Sequence, residues 1–527
     1  MPPTATPGTL LAPPAVTPPP RTPVVVRPPV PLHTTRHGPS RELTAAVPAS
    51  LVLALGLWGI TRQNSMWRDE AATWQVAHRD LHEIWHLLGH ADIVHGLYYA
   101  LMHILFEVFG DSLLTLRIPS VIAMAVAASL AADLGARLAD RWSGLGAGLA
   151  FALLPTLQTY AQEGRPYAMV TATVTLASWL LVAALHRPRA RIWSAYALVV
   201  LLGALLNWFS LLALLAHAAA LALARPHRAI WARWFIAVST AIIGATPLIL
   251  ASRDQAGQVS WIQPSTPMTM YAVAATVVAA GGCAFLRRAR TPAQPAPAAA
   301  GTPSLAAVAV PLCALPQVVL LTVSLTWQPL YVDRYVLFAQ VGLALLLGVL
   351  ISTLATSPLI GRPGVLLAAV TALAFVALLP MERQVRSAHS RVDDVLAAAT
   401  LVTAAHDRGA GAMVFIPSAR RDTAMVTPGA FPGLRDIALA QSPADSGTLH
   451  GIETAPRTTA RAMLREPHII LISDAQPRPA HNARDLAKQR VLHEHFVPRS
   501  ITIQRGRSIT LYERIDRPHS DEPADRS

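Results

Sequence analysis

The sequence predicts an all-α polytopic membrane protein of about eleven spans followed by a small soluble α/β domain. Three observations carry this reading. The 527 residues are 53% hydrophobic and only 14% charged, whereas soluble domains are roughly a quarter charged. Several apolar stretches reach the ~20 residues that a helix needs to cross a bilayer. After about residue 380 these stretches stop and the composition turns soluble.

In chain order, residues 1–45 are rich in Pro, Thr and Ala and carry Arg21, Arg27, Arg36 and Arg41. Such a segment cannot bury a core and reads as a disordered cytoplasmic tail. Candidate spans follow at 47–61, 118–138, 143–160, 167–185, 193–207, 208–224, 232–251, 268–286, 304–326, 335–354 and 364–380, within a membrane domain set at 46–380. Segment 95–110 is apolar but short for a span, and it holds His103 and Glu107. It is read as an interfacial helix within a first outer loop, 61–117.

The charge distribution supports that choice. With 95–110 outside, Arg137 and Arg141, Arg187 to Arg191, Arg225 to Arg233, Arg287 to Arg290 and Arg362 all fall on the cytoplasmic side, as the positive-inside rule requires. Asp69, Glu70, Asp92, Glu163, Asp254 and Asp333 then collect on the outer face. The net charge of +13 is almost all arginine between spans. Membrane orientation therefore explains it, and nucleic acid is not a partner. Cys283 and Cys313 lie in or beside spans and give neither a disulfide framework nor a metal site. Loop 287–303 reads as a Pro/Ala-rich linker.

Residues 381–515 read as an extracytoplasmic α/β domain, with a helix near 391–408 and strands at 412–416 and 468–472. Arg505-Gly506-Arg507 separates two further strand-like runs, which suggests a hairpin. Residues 516–527 read as a disordered tail.

The outer loops hold four polar constellations: Asp69-Glu70, Asp92 to Tyr99, Gln162 to Tyr167 and Gln328 to Tyr335. Adjacent carboxylates at a membrane surface are costly unless they are hydrated, paired or chemically employed.

Trp67-Arg68-Asp69-Glu70, His95-Gly96-Leu97-Tyr98-Tyr99, Arg117-Ile118-Pro119-Ser120, Gln162-Glu163-Gly164-Arg165-Pro166-Tyr167 and Tyr331-Val332-Asp333-Arg334-Tyr335 occur in that order. Over residues 47–380 this set resembles the protein O-mannosyltransferase-like family of the GT-C superfamily, which also includes the lipid A aminoarabinose transferases. Where the family often reads His-Pro-Pro-Leu-Tyr-Tyr, this chain lacks the prolines after His95.

The resemblance implies an integral-membrane glycosyltransferase. It would move a hexose such as mannose, or a pentose, from a polyprenyl-phosphate donor to a protein, glycan or lipid acceptor. By the same resemblance Asp69 is the catalytic base, with Glu70 its supporting neighbour. A carboxylate that takes the acceptor proton as the bond forms fits this chemistry, and the leaving phosphate calls for an arginine. Arg334 and Arg165 are the candidates, Arg334 foremost. Asp92, His95, Tyr98, Glu163, Tyr167 and Tyr335 complete the expected substrate-binding set, with membrane lipid around the donor tail. No cofactor is required by the sequence, and a divalent metal near Asp92 and His95 stays open.

Each assignment has a structural rival. Asp69 and Glu70 would also suit a helix N-terminus, Glu163 and Arg165 an internal ion pair, and Arg334 a snorkelling anchor. Histidines 78, 82, 86 and 90 fit the polar face of one amphipathic helix better than a zinc site. Two other function classes stand beside the enzyme: a transporter or lipid-carrier flippase, and a non-catalytic cell-envelope assembly protein. The Arg-rich, Lys-poor composition points to a high-GC bacterium and its plasma membrane.

Overall fold

A computed structural model describes residues 38–255, 266–289, 303–355, 362–406, 409–476 and 479–515 apart from 481, with isolated positions 4, 8, 257 and 262. Most of the expected tail, most of loop 287–303 and residues 516–527 lie outside the described residues.

The chain from Pro39 onward forms one compact unit. It runs α1 (Arg41–Leu57), α2 (Arg68–Ala77), α3 (Leu81–Leu88), α4 (Gly96–Phe109), α5 (Leu113–Leu138), α6 (Arg141–Leu153), α7 (Pro155–Ala161), α8 (Tyr167–His186), α9 (Ala190–Leu206), α10 (Ala213–Ala224), α11 (Arg228–Asp254), α12 (Thr266–Ala289), α13 (Leu305–Thr326), α14 (Ala339–Ala355) and α15 (Pro363–Val385). Five of these, α5, α8, α11, α13 and α15, are long and apolar enough to cross a membrane by length and composition. The other predicted spans are also helical.

The boundaries differ from the sequence reading where local chemistry intervenes. α1 starts at Arg41, inside the expected tail, because the Ser40 side chain accepts from Leu43 N–H and caps it. The predicted span 143–160 is two helices, since Leu154 precedes Pro155 and takes extended dihedrals. The predicted helix bearing histidines 78 to 90 is broken after Ala77. Asp80 and Glu83 form a capping box that starts α3 afresh. The membrane helices extend to Val385 rather than 380.

Small residues let the bundle close. A Cβ on Gly348 of α14 would meet Ala147 N at 2.3 Å, and one on Gly144 of α6 would meet Ala132 O at 2.4 Å. The backbones of α5, α6 and α14 therefore touch, the packing that membrane helices favour.

The C-terminal region adds α16 (Val395–His406), β1 (Ala412–Ile416), α17 (Asp422–Val426), β2 (Arg435–Asp436), β3 (Leu439–Gln441), β4 (Ile452–Glu453), α18 (Pro456–Met463), β5 (His468–Asp474), α19 (Ala483–His495), β6 (Phe496–Gln504) and β7 (Arg507–Arg514). One sheet has the order β2-β1-β5-β7-β6, with β2, β1 and β5 parallel and the β6–β7 hairpin antiparallel. Alternate residues of β1 and β5 face opposite sides. Met413, Phe415, Ile470 and Ile472 pack with Val402 of α16. Ala412, Val414, Ile469 and Leu471 pack with Leu492 of α19 and Met463 of α18. This is the small α/β domain that the sequence predicts, and the hairpin turns at Arg505-Gly506.

Arg386, at the end of α15, fastens that helix to the bundle. Its guanidinium donates to Glu382, to Leu55 O at 2.7 Å and to Gln158 Oε1 at 3.0 Å. The ends of α15, α1 and α7 thus meet where the chain leaves the bundle.

Candidate functional site

The four polar constellations converge at this end of the bundle. Asp69 stands in the first turn of α2, and its Oδ2 lies 3.3 Å from Nη2 of Arg334, in the turn between α13 and α14. The Asp69 side chain is 22% exposed and that of Arg334 12%, so the pair borders open space. The Arg334 guanidinium sits 5.6 Å from the Tyr167 ring centroid and 5.9 Å from those of Tyr335 and Trp67. Such cation–π geometry holds a charge without neutralising it. Burial works against the Arg334 charge, but Tyr167 and Asp69 outweigh it and raise its pKa above the ordinary arginine value.

Arg165 forms the other wall. It donates to His95 Nε2 at 2.7 Å, to the Asp69 carbonyl at 3.3 Å and toward Tyr99 Oη at 3.5 Å. Tyr99 in turn donates to Asp92 Oδ2 at 2.6 Å. His95 therefore accepts from Arg165 through its ring, while its backbone N–H donates to Asp92 O at 2.9 Å. Burial, with Arg165 and Arg334 nearby, pushes its pKa well below the usual value and keeps it neutral. Among the described residues, no group of three or more His, Cys, Asp or Glu stands together as a metal site.

Glu70 meets a different set of partners from Asp69. It is fully buried, and Arg117 grips it with Nε and Nη2 at 2.8 Å each. Arg62 and the Gly164 N–H complete its partners. Burial alone would raise its pKa, but Arg117 and Arg62 more than offset this and hold it at about 2. Arg117 also donates to Ile60 O and Ser65 O, which fastens the loop before α2. Tyr98 is wholly buried in the core below α4. Glu163 is buried and pairs with Arg391 at 3.1 Å. Burial raises its pKa despite that arginine.

A cavity of about 370 Å³ is lined among others by Val94, His95, Trp208, Phe209, Arg253, Trp327, Leu330 and Tyr335. His95 and Tyr335 belong to both the cavity and the charged cluster. Tyr335 stacks on Phe209 at 4.7 Å. A mostly apolar cleft ending on fixed cations can take an amphiphile with an anionic head.

Sequence reasoning brought together Asp69, Asp92, His95, Arg165, Tyr167, Arg334 and Tyr335. It gave no site role to Arg62, Arg391 or the Asp393-Asp394 pair, and it named Tyr99 and Arg117 only as members of motifs. Arg117 carried a usable signal, a charge in the first turns of an apolar helix. Arg391 and the Asp393-Asp394 pair have partners far away in sequence, whereas Arg62 lies 8 positions from Glu70 and Tyr99 7 positions from Asp92.

Residues 96–251 match the family model described as dolichyl-phosphate-mannose-protein mannosyltransferase. None of the curated proteins matches the sequence. Among solved structures, ArnT from Cupriavidus metallidurans in the apo state aligns with a TM-score of 0.55 at 10% identity, covering 88% of this chain and 97% of that one. ArnT from the same organism bound to undecaprenyl phosphate aligns at 0.47 and 10% identity, covering 90% and 98%. Arabinosyltransferase EmbB from Mycobacterium smegmatis aligns at 0.40 and 15% identity, covering 85% and 46%.

Proposed function

From the premise that this chain has the fold of the GT-C membrane glycosyltransferases, we propose that it transfers a sugar from a polyprenyl-phosphate donor to an acceptor hydroxyl, with Asp69 as the base. The observation that supports this reading best is the Asp69–Arg334 pair. A partly exposed carboxylate lies 3.3 Å from a half-buried arginine, whose neighbour Tyr335 lines an apolar cavity.

The chemistry is a single displacement. The acceptor oxygen attacks the anomeric carbon while the bond from that carbon to the phosphate oxygen breaks. Asp69 takes the acceptor proton. The leaving lipid phosphate gains negative charge, which Arg334 and Arg165 are placed to balance. The configuration at the anomeric carbon inverts. In the resting pair Arg334 occupies Asp69, and an arriving phosphate would draw the guanidinium away and free the base. Mannose is the sugar favoured by the family match.

The site faces the outside of a bacterial plasma membrane in this reading, with the N-terminus in the cytoplasm. The transporter alternative wants charges or broken helices near the bilayer midplane. The acids here cluster at helix ends instead. The deciding experiment supplies membranes with polyprenyl-phosphate mannose and with the corresponding pentose donor, and compares wild type with Asp69→Asn. Transfer that is lost in the variant supports the reading. Transfer from neither donor, or equal transfer by both proteins, removes it.

A further inference from the structure

The helix that carries Asp69 has no cap of its own. Its N-cap position is Trp67, whose side chain makes no capping hydrogen bond. The first amide of the helix, and one just before it, are met from the far end of the chain. The Arg68 N–H donates to Asp393 Oδ1 at 3.2 Å, and Arg68 Nε donates to Asp393 Oδ2 at 2.9 Å. The Met66 N–H donates to Asp394 Oδ1 at 3.3 Å, and the Val395 N–H returns a bond to Met66 O at 2.7 Å. Residues 64–68 are thus held by the segment that opens the soluble domain.

That segment is itself anchored by the β6–β7 hairpin. Asp393 and Asp394 are fully buried, as is Arg507. Arg507 Nη2 lies 3.0 Å from Asp393 and 2.8 Å from Asp422. Arg505 pairs with Asp394, and its carbonyl accepts from Asp394 N–H at 3.0 Å. The turn fits only because residue 506 is glycine. It has φ +82°, and a Cβ there would meet Val392 O at 2.2 Å. Arg391, just before the acids, reaches Glu163 in the loop that supplies Arg165. One short segment, Arg391 to Val395, therefore touches both loops of the charged cluster.

We propose that Asp393 and Asp394, braced by Arg507, are positioning residues that supply the missing cap of α2 in trans and so aim Asp69 at the acceptor. This makes the soluble domain a working part of the transfer site, and it rests on the function proposed above. A carboxylate cap serves the positive end of the helix as well as its free amides. A base held by two domains is fixed more tightly than one on a free loop end, and small displacements of a reacting group are costly.

The test uses the purified full-length protein and two readouts. Asp393→Ala removes the cap, Asp393→Asn keeps an acceptor for the Arg68 N–H, and Arg68→Met keeps the backbone bond but removes the side-chain pair. Hydrogen exchange of a peptide covering 64–75 reads the clamp itself, with α13 as the internal reference. Sugar transfer from polyprenyl-phosphate mannose reads its consequence. The proposal expects faster exchange in 64–75 alone for Asp393→Ala. It also expects a fall in kcat on the order of 10- to 100-fold, with little change in KM for the donor, and partial recovery in Asp393→Asn. Unchanged exchange overturns it, and so does faster exchange with wild-type kcat. If Asp393→Ala does not fold, Asp393→Asn and Arg68→Met are held to the same two criteria. If the wild type transfers no sugar, the function proposed above fails, and exchange alone then decides whether the clamp exists.

Discussion

Arg334 holds Asp69 at 3.3 Å while three aromatic rings surround its guanidinium. The proposed base and the proposed phosphate-binding cation are therefore one linked unit at rest. Arg334→Lys keeps the charge but loses the planar fork that grips a phosphate and lies against aromatic faces. Transfer efficiency, kcat/KM, should fall on the order of 100-fold, as for loss of a pre-placed transition-state donor. Steady-state kinetics at matched protein abundance checks this. Activity near wild type would make Arg334 an anchor rather than a ligand.

Glu70 predicts a stability effect. Glu70→Gln leaves the buried Arg62 and Arg117 facing a neutral partner, and breaking a buried ion pair costs about 3–5 kcal/mol. The pH dependence has a definite sign. The folded-state pKa of about 2 lies below the ordinary value of ~4.3, so this stability is present in full above ~4.3 and is lost as pH falls through about 2. Thermal unfolding in detergent should show wild type losing stability over that acid window more steeply than Glu70→Gln. Parallel curves would contradict the assignment.

Packing predicts a second one. Gly348 touches the backbone of α6 at Ala147, so Gly348→Leu must force α6 and α14 apart. Overpacking of this kind costs about 1–3 kcal/mol or more. Reduced thermal stability of the purified protein is expected, and unchanged stability would show that the two helices are not in contact.

Topology is open to direct labelling. In a background without Cys283 and Cys313, a cysteine at the exposed position 461 should react with an impermeant reagent in intact cells, whereas one at position 292 should be protected until the membrane is opened. The reverse pattern would turn the protein over and put the site in the cytoplasm.

The span positions were legible because apolar runs of membrane length have few other uses. The hairpin at Arg505-Gly506 was legible because a turn interrupts two strand-like runs. What stayed hidden follows from geometry. Asp69 and Glu70 are neighbours in sequence, but successive residues on a helix point about 100° apart. One therefore faces Arg334 and the other Arg117, and nothing in a single sequence says which. Asp80 was readable only as one more polar residue among histidines, yet its capping box splits the helix. The cap on α2 was beyond reach, since Arg68 and Asp393 lie 325 positions apart and no periodicity links them.

Asp69→Asn is the most direct measurement of the central claim. Asparagine keeps the shape, the hydrogen-bonding capacity and the helix-capping ability of the side chain, but it cannot take the acceptor proton. If Asp69 is the base, transfer from polyprenyl-phosphate sugar should fall ~10²–10⁴-fold while membrane abundance and thermal stability stay near wild type. An Asp69→Asn protein that retains close to wild-type transfer would contradict the mechanism, and the pair with Arg334 would then be structural.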